Sequence, residues 1–372
     1  MNHPAKSFNK THWIAFAVTG FILLFVLPPV LSVFQLNLLG KFLTYAIVAV
    51  GLDMIWGYAG MLSLGQGLFF GLGAYCFGMY LNLEAAGERL PNFMSLYGVF
   101  ELPWFWEPFR SPVIALFLAV ALPMVLAGVL GYMLFRSRIQ GVYFAIVTQA
   151  LTAIVALLLV GQQQAINGTN GITEMKTIFG FTIGDNSTQT GLYIATVIVL
   201  GLVYIFCRMT IKSRFGRLMI AIRDDEQRLR FIGYNPALIK AIVFALSAGI
   251  AGLAGVLFVP QVGIISPKQL DILASIEIVI WVAVGGRATL IGAIVGALLV
   301  NTGKSTISTA NPDLWQLIMG ALFVGVVLLF PKGLVGTLQS LYTRLSSRIR
   351  RTPLNHPGTA VAAADLEIDT AR

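Results

Sequence analysis

The stretch Gly57–Tyr75, GYAGMLSLGQGLFFGLGAY, decides how the rest of this chain is interpreted. Seven of the 22 positions from 57 to 78 are glycine, and no residue between Asp53 and Glu84 is charged. An uncharged segment of this length favours a membrane interior, but each glycine costs a helix interior about 1 kcal/mol relative to alanine. The cluster therefore predicts a role beyond helix stability.

Two structural roles fit the glycine cluster. Gly67 and Gly71 have the spacing that lets the backbones of neighbouring membrane helices approach closely. The part from Gly60 to Gly67, which carries Ser63 and Gln66, would alternatively form a break whose backbone groups face a pathway. The sequence leaves open whether residues 57–67 form a loop, a broken helix or simply a packed helix.

The composition assigns the chain to a membrane. Of its 372 residues, 57% are hydrophobic and 11% are charged, and the mean hydropathy is +0.82. These values exclude a soluble protein. Because a span needs roughly 20 apolar residues, we expect an all-α, polytopic membrane protein with about ten transmembrane helices, and eight at the fewest. The apolar runs lie near 13–33, 38–56, 61–83, 112–134, 140–160, 190–207, 237–259, 271–284, 288–306 and 314–330.

The distribution of charge predicts the topology. With the N-terminus inside, the segment 208–230 lies in the cytoplasm with seven basic and three acidic residues, as does the basic tail after residue 331. The other side receives the segment 84–111, with four acids and two arginines. This asymmetry follows the positive-inside rule, so both termini are expected inside. The formal charge of +9 then reflects the loops, and we expect no nucleic-acid partner.

Residues that bind metals or act as catalysts are scarce. Cys76 and Cys207 fall inside apolar runs, and the three histidines, at positions 3, 12 and 356, lie near the termini. We therefore expect no metal site, no disulfide framework and no cofactor in this chain. Gly303-Lys304-Ser305 ends like a phosphate-binding loop, but the glycine that this motif needs at position 298 is leucine. Any use of ATP must come from partner subunits.

The longest polar element between spans is the stretch 212–236, KSRFGRLMIAIRDDEQRLRFIGYNP. Its apolar residues recur near one face of a helix, and Gly233 and Pro236 provide a stop signal. The sequence predicts one short amphipathic helix over about 216–233, which either lies on the membrane surface or docks into a partner's groove. Its apolar face comprises Leu218, Ala221, Ile222, Leu229 and Ile232.

Three signals occur together in a fixed order. The first is the glycine-rich stretch 57–75, and the second is SRFGRLMIAIRDDEQRLRFIGYNP at 213–236 with FALSAGIAGLAGVLF after it. The third is Ser266-Pro267 leading to Gly285-Gly286 and Gly292, closed by FPKGLVG at 330–336. With these signals the chain resembles the branched-chain amino acid ABC transporter permease family, in its LivM-like branch. The likeness covers roughly residues 38–336.

Within that family the chain is most similar to the urea permeases (UrtC-like). Members usually carry a neutral residue in place of Asp53, a histidine in place of Gln66 and apolar residues in place of Glu277. The string SIEIVIWVAVGGRATLIGAIVGALLVN at 275–301 is also closer to the urea branch. These departures favour urea over a branched-chain amino acid as the substrate.

The resemblance implies a permease subunit of the bacterial inner membrane that is not an enzyme. Its partners would be a second homologous permease, two cytoplasmic ATPases that bind ATP and magnesium, a periplasmic solute-binding protein, a small-molecule substrate and membrane lipid. The helix over 216–233 would insert into an ATPase groove, which favours docking over lying on the membrane. The coupling residues would be Gly216, Arg217, Arg223, Asp224, Asp225, Glu226 and Gly233.

The resemblance also divides the chain. Residues 1–37 would form an N-terminal tail and the first transmembrane helix, and 38–336 would form the permease domain. Residues 337–372 would form a cytoplasmic tail that we expect to be disordered. Two other functions stay open: the same importer carrying branched-chain amino acids, or a secondary transporter driven by a proton or sodium gradient.

Two carboxylates, Asp53 and Glu277, fall inside predicted spans, where a charge costs about 2.5–3.5 kcal/mol by insertion scales. Urea offers four N–H donors, which carboxylates accept well, so we predict that Asp53 or Glu277 lines the route. Alternatively, Asp53 is hydrated or paired with an arginine, and Glu277 is paired with another helix or with the second permease. The neutral partners along the route would be Ser63, Gln66, Tyr143, Thr148 and Gln149.

Overall fold

The computed structural model describes residues 18–310 and the short pieces 317–318, 320–321, 324–325 and 333–337. Three predictions fall wholly or largely outside these residues. They are the tail before residue 18, most of the tenth span at 314–330, and the C-terminal tail after residue 337.

The described chain is almost entirely helical. A π-helical turn (Ile22–Val26) precedes α1, a second one (Met54–Tyr58) extends α2, and 3₁₀ turns cover Glu107–Arg110 and Pro267–Gln269. A hairpin of two very short strands, β1 (Thr177–Ile178) and β2 (Phe181–Thr182), lies between α7 and α8. The helices are α1 (Leu27–Val30), α2 (Val33–Asp53), α3 (Gln66–Ala86), α4 (Asn92–Leu96), α5 (Pro112–Arg136), α6 (Val142–Gly161), α7 (Gln163–Ile166), α8 (Asn186–Lys212), α9 (Arg214–Asp224), α10 (Glu226–Phe231), α11 (Pro236–Val262), α12 (Ile272–Gly285) and α13 (Leu290–Ala310).

Six of these helices are long and apolar enough to cross a membrane. They are α2 with its π-helical extension, α5, α6, α8, α11 and α13. Helix α3 (21 residues) and helix α12 (14 residues) coincide with the predicted spans at 61–83 and 271–284, but they are not among the six. A mostly helical chain with several spans is therefore confirmed, whereas the count of about ten and the orientation of the termini stay predictions.

Helix α11 is the centre of the bundle. It packs most extensively against α5 and α3, and next against α2, and it is buried along most of its length. Edge-to-face phenylalanine rings connect it to two neighbours, because Phe244 lies 5.3 Å from Phe69 of α3 and 5.2 Å from Phe144 of α6 between ring centroids. Such pairs contribute about 0.5–1.5 kcal/mol each beyond the area that they bury.

Glycines allow α3 to approach its neighbours to backbone contact. A Cβ added to Gly73 would lie 2.5 Å from the Cα of Gly252 in α11, and one added to Gly67 would lie 2.7 Å from the Ser275 hydroxyl. Between membrane helices, close van der Waals packing replaces the hydrophobic effect as the main attraction. The glycine cluster therefore has a packing role from Gly67 onward, as its spacing predicts.

We predict that Gly73→Ala destabilises the bundle, because the new methyl group must push α3 and α11 apart. Overpacking of this kind costs about 1–3 kcal/mol. A thiol-reactive dye can follow thermal unfolding, since both cysteines, Cys76 and Cys207, are free and buried. The matched control is Gly191→Ala in α8, where a Cβ meets nothing within 4 Å. Equal melting temperatures for the two variants would contradict the packing argument.

Candidate functional site

The glycine-rich stretch contains a break between two helices. Helix α2 continues through the π-helical turn Met54–Tyr58, residues 59–65 form no helix, and α3 begins at Gln66. Gly60 occupies the left-handed region with φ +74°, which a glycine adopts without strain. The question that the sequence left open is thus answered, because the part from Gly60 to Gly65 is a non-helical connection and the part from Gly67 onward is packed helix.

Side chains of two other helices, and one side chain of the break itself, satisfy the backbone around the break. The Leu64 amide donates to the Thr148 hydroxyl of α6 at 3.1 Å, and the Gly67 amide donates to Ser275 Oγ of α12 at 3.1 Å. Within the break, the Gly65 amide donates to Ser63 Oγ at 3.2 Å. Non-helical backbone at membrane depth needs such partners because lipid supplies none.

Gln66 presents a free acceptor at the break. Its side-chain amide donates to Ser247 Oγ of α11 at 3.1 Å, and that hydroxyl donates to the Gly51 carbonyl at 2.7 Å. Gln66 is fully buried, and its Oε1 accepts no hydrogen bond from any described residue. A buried acceptor without a partner costs roughly 1–3 kcal/mol. The Gln66 oxygen is therefore suited to a water molecule or to an N–H group of a solute.

The proposed neutral partners divide into two groups. Ser63, Gln66 and Thr148 are all buried beside the break. In contrast, Tyr143 is 75% exposed and Gln149 is only partly buried. Helix α6 turns only one stripe inward, which includes Thr148 and Thr152, so Tyr143 does not join the cluster. Its predicted role along a route, like that of Gln149, stays a prediction.

Asp53 holds a turn between two helices. Its Oδ1 accepts a hydrogen bond of 2.7 Å from the amide of Ala288, which lies between α12 and α13. The Tyr58 hydroxyl donates to the Ala288 carbonyl at 2.8 Å, so both sides of this residue are fixed. Ala288 needs this support because its φ of +60° is uncommon for a residue with a side chain.

Asp53 is isolated from bulk water. The side chain is 0% exposed, so hydration from bulk water is wrong. Among the described residues it forms no ion pair within 4 Å, and Arg287, which lies over the Trp56 ring at 4.8 Å, attracts it only from a longer distance. Asp53 thus has a structural task that the sequence did not reveal, since its partner is a backbone amide 235 residues away.

Glu277 pairs with another helix. Its Oε1 lies 2.5 Å from Lys304 Nζ of α13. Because the pair compensates both charges within the membrane region, the alternative of a partner on another helix is confirmed for Glu277.

The segment predicted as one coupling helix over 216–233 is two helices, α9 and α10. Asp225 separates them with φ −160° and ψ 98°, and its carboxylate accepts from the Arg228 amide at 3.1 Å. An aspartate that caps a new helix favours an interruption over continuation. The single-helix prediction is therefore wrong, whereas Gly233 does end the second helix with φ +92°, as predicted.

The buried face of this helix pair rests on the bundle. Ile222 and Leu229 form a small cluster with Ile239 of α11, whereas Ile232, which was predicted on the same face, is 67% exposed. Gly216 is buried against the Ile211 backbone, where a Cβ has no room. The charged residues predicted for coupling remain on the outside, since Arg217, Arg223, Asp224 and Asp225 are exposed and Glu226 is partly buried.

Glu226 anchors α10 to the bundle. It forms ion pairs with Lys240 at the start of α11 and with Arg230, the latter at 2.6 Å. Burial alone would raise the pKa of Glu226, but the bonds to these two cations outweigh burial and hold that pKa below its usual range. The carboxylate therefore stays charged at neutral pH and ties the helix pair to a membrane span.

One contact joins α9 directly to the break. Arg223 Nη1 donates to the Gly57 carbonyl at 3.0 Å, and a Cβ on Gly60 would lie 2.7 Å from Arg223 Cγ. The sequence placed Arg223 on a charged face, and the family resemblance predicted it among the coupling residues, but neither predicted this bond. The partner of Arg223 is a backbone carbonyl 166 residues away, and no local sequence pattern predicts such a bond.

Comparison with known proteins identifies the family. The family model described as "Branched-chain amino acid transport system / permease component" matches residues 34–327. This chain belongs to that family. As a permease component, it is a multi-pass transport protein of the inner membrane and not an enzyme.

Curated relatives agree with this family. The chain is 27% identical over 313 residues to the high-affinity branched-chain amino acid transport system permease protein LivM of Escherichia coli, covering 78% of this chain and 67% of LivM. It is 23% identical over 314 residues to LivH of Salmonella typhimurium, covering 79% and 91%. A ribose import permease of Escherichia coli, RbsC, is 26% identical over 224 residues, covering 58% and 67%. No solved structure gives a significant match.

We predict that Asp53→Ala lowers the stability of the purified chain, because the buried Ala288 amide loses its acceptor. The cost of an unmade buried hydrogen bond is about 1–3 kcal/mol. Asp53→Asn retains a side-chain oxygen that can accept the same bond, and it should unfold at a temperature closer to wild type. If Asp53→Ala melted like wild type but lost transport, the carboxylate would belong to the route and not to the turn.

Proposed function

We propose that this chain is the membrane-spanning subunit of an ABC importer that moves a small polar solute inward by alternating access. The observation that best supports this function is the hydrogen bond from Arg223 to the Gly57 carbonyl, because it links an exposed charged helix to a break in the membrane region. A movement imposed on α9 from outside the bundle would reach the break through this bond. The chain needs no nucleotide site of its own for such a mechanism.

The partners follow from the family. A permease component of a transport system works with other subunits, and we propose a second homologous permease, two ATPases and a solute-binding protein. The two ATPases would contact α9 and α10, whose exposed residues include Arg217, Asp224 and Phe231. Phe231 is 89% exposed. Because exposed apolar surface marks interaction sites, we propose that an ATPase covers this side chain.

Branched-chain amino acids are the first candidate substrate. The family description and the names of the LivM and LivH relatives all refer to them. The sequence favoured urea because Asp53, Gln66 and Glu277 depart from the family's usual residues and because residues 275–301 resemble the urea branch. Both carboxylates have structural partners, the Ala288 amide and Lys304, so this argument for urea is weakened.

Urea remains the second candidate substrate. The free Gln66 oxygen beside the break is a neutral acceptor, and urea carries four N–H donors. An amino acid would also offer N–H donors there, so this contact does not discriminate between the two substrates. The similarity of residues 275–301 to the urea branch adds to the case for urea.

The experiment is uptake by proteoliposomes that contain the complete assembly. Labelled leucine and labelled urea are offered in parallel, with ATP or a non-hydrolysable analogue supplied to the ATPase side. We expect ATP-dependent accumulation of leucine and little of urea, and the reverse preference would make urea the substrate. Accumulation by this chain alone on a proton or sodium gradient would instead establish a secondary transporter.

We predict that Arg223→Gln lowers ATP-driven uptake at least tenfold while the chain stays inserted. A hydrogen bond to a charged group contributes about 1.5–3 kcal/mol, which corresponds to a factor of ten or more. The ATPases should still co-purify, because the surface of α9 is otherwise unchanged. The control is Arg136→Gln, an exposed arginine at the end of α5. Unaltered uptake by Arg223→Gln would contradict the proposed coupling of α9 to the break. Loss of ATPase co-purification would instead assign Arg223 to the ATPase contact.

A further inference from the structure

A polar cavity lies between the helix pair α9–α10 and the break. Its volume is about 310 Å³, and residues 59–61 of the break form part of its wall. Another part of the wall carries charged residues of α9 and α10, among them Arg223, whose bond to the Gly57 carbonyl joins the helix pair to the break. Gln140, which also lines the cavity, is exposed. The cavity is therefore open to water on the side of α9.

On α11 the side chains change in a regular order away from this cavity. Lys240 lines the cavity and forms an ion pair with Glu226 of α10. One turn further along, Phe244 is only 1% exposed, and Ser247 then accepts from the Gln66 amide at 3.1 Å. Lys240 and Ser247 are about 10 Å apart along the helix axis. The helix thus passes from a charged residue, through an aromatic ring, to a hydroxyl at the break.

Helix α6 and the turn before it repeat this order. Gln140 and Phe144 line the cavity, and Thr148, one turn after Phe144, accepts from the Leu64 amide of the break. Phe144 is only 1% exposed although it borders the cavity. Two helices that are distant in sequence therefore each place a phenylalanine between the polar cavity and the polar groups of the break.

These two phenylalanines contact each other. The rings of Phe144 and Phe244 meet edge to face with 5.2 Å between centroids. Phe135 packs on Phe144 at 4.9 Å, and Phe69 packs on Phe244 at 5.3 Å. We call these four rings the aromatic layer. Apolar constrictions close membrane pathways because they exclude water.

We infer that the aromatic layer is the closed gate of the solute path on the side of α9, and that the cavity is the vestibule into which the solute is released. The inference rests on the proposed function and deepens it, because it adds Phe144 and Phe244 as gating residues. Since Arg223 lines the vestibule, a movement of α9 would displace the wall beside these rings. The solute would leave the Gln66 oxygen, pass between the rings and enter the vestibule.

The test is the accessibility of a cysteine behind the aromatic layer. Ser63→Cys is introduced into a chain whose Cys76 and Cys207 are replaced by alanine, and the complete assembly is placed in sealed vesicles without ATP. A membrane-impermeant methanethiosulfonate that carries a trimethylammonium group is added to one side at a time. Ser63 is 0% exposed, so we expect slow labelling from either side while the rings are intact.

Opening the aromatic layer should expose this cysteine from one side only. We expect the double variant Phe144→Leu, Phe244→Leu to raise the labelling rate from the α9 side by about tenfold or more, which is a change of only about 1.4 kcal/mol in the opening equilibrium. Either single variant should give a smaller increase, which keeps the test usable if the double variant fails to assemble. Arg217→Cys, on the exposed side of α9, reports which vesicles present that side.

The matched control is Phe258→Leu. Phe258 also lies on α11, is 1% exposed and packs edge to face on Phe70 at 5.1 Å. It follows Phe244 by 14 residues, which places it about 21 Å further along the helix axis from the vestibule. Its replacement should lower the melting temperature as a gating variant does, because a buried ring is lost, yet leave the labelling of Ser63→Cys slow.

Two results would overturn the gate. One is labelling in the Phe144 and Phe244 variants that is no faster than in Phe258→Leu. The other is equally fast labelling from both sides, because loosened packing has no preferred side. Gln140→Cys should react from the α9 side in every variant, and its protection would contradict the vestibule.

Failure of the proposed function looks different. In that case the wild-type assembly would accumulate neither leucine nor urea with ATP. The labelling experiment needs no transport, so it reports independently whether the rings close a path.

Discussion

The rest of the structure depends on the close approach of the π-helical turn Met54–Tyr58 to the turn between α12 and α13. A Cβ on Gly57 would lie 2.5 Å from the Ala288 nitrogen, so only glycine fits at this point. The same approach brings the Ala288 amide to Asp53, and the Gly57 carbonyl stays available to Arg223. One residue without a side chain therefore contacts two parts of the chain that are far apart in sequence.

This arrangement explains how a break can exist inside a stable bundle. Residues 59–65 form no helix, yet the hydroxyls of Ser63, Thr148 and Ser275 accept from amides in and next to the break. Glycine packing of α3 on α11 holds the following helix in place. The break is thus fixed on both sides, and the contacts that fix it come from helices α6, α11 and α12. A movement of α9 would act on it through Arg223.

The sequence predicted the class of fold because hydropathy and glycine spacing are local properties. It also drew attention to Ser63, Gln66 and Thr148, which lie buried beside the break, because polar residues in apolar runs stand out, whereas their role along a route stays a prediction. It did not predict that Tyr143 lies apart from them, because the apolar pattern of α6 does not reveal which stripe turns inward. The split at Asp225 was missed because the apolar period continues across it. Long-range backbone bonds, such as Arg223 to Gly57 and Ala288 to Asp53, have no sequence signature and required the three-dimensional structure.

The most direct measurement is hydrogen exchange of the complete assembly with and without ATP. If a movement of the exposed helices reaches the membrane region through the Gly57 carbonyl, exchange must change together in residues 54–65 and in residues 214–231. The account predicts this joint response. A nucleotide-dependent change in 214–231 with no change in 54–65 would contradict it, because the break would then be independent of the element that is supposed to move it.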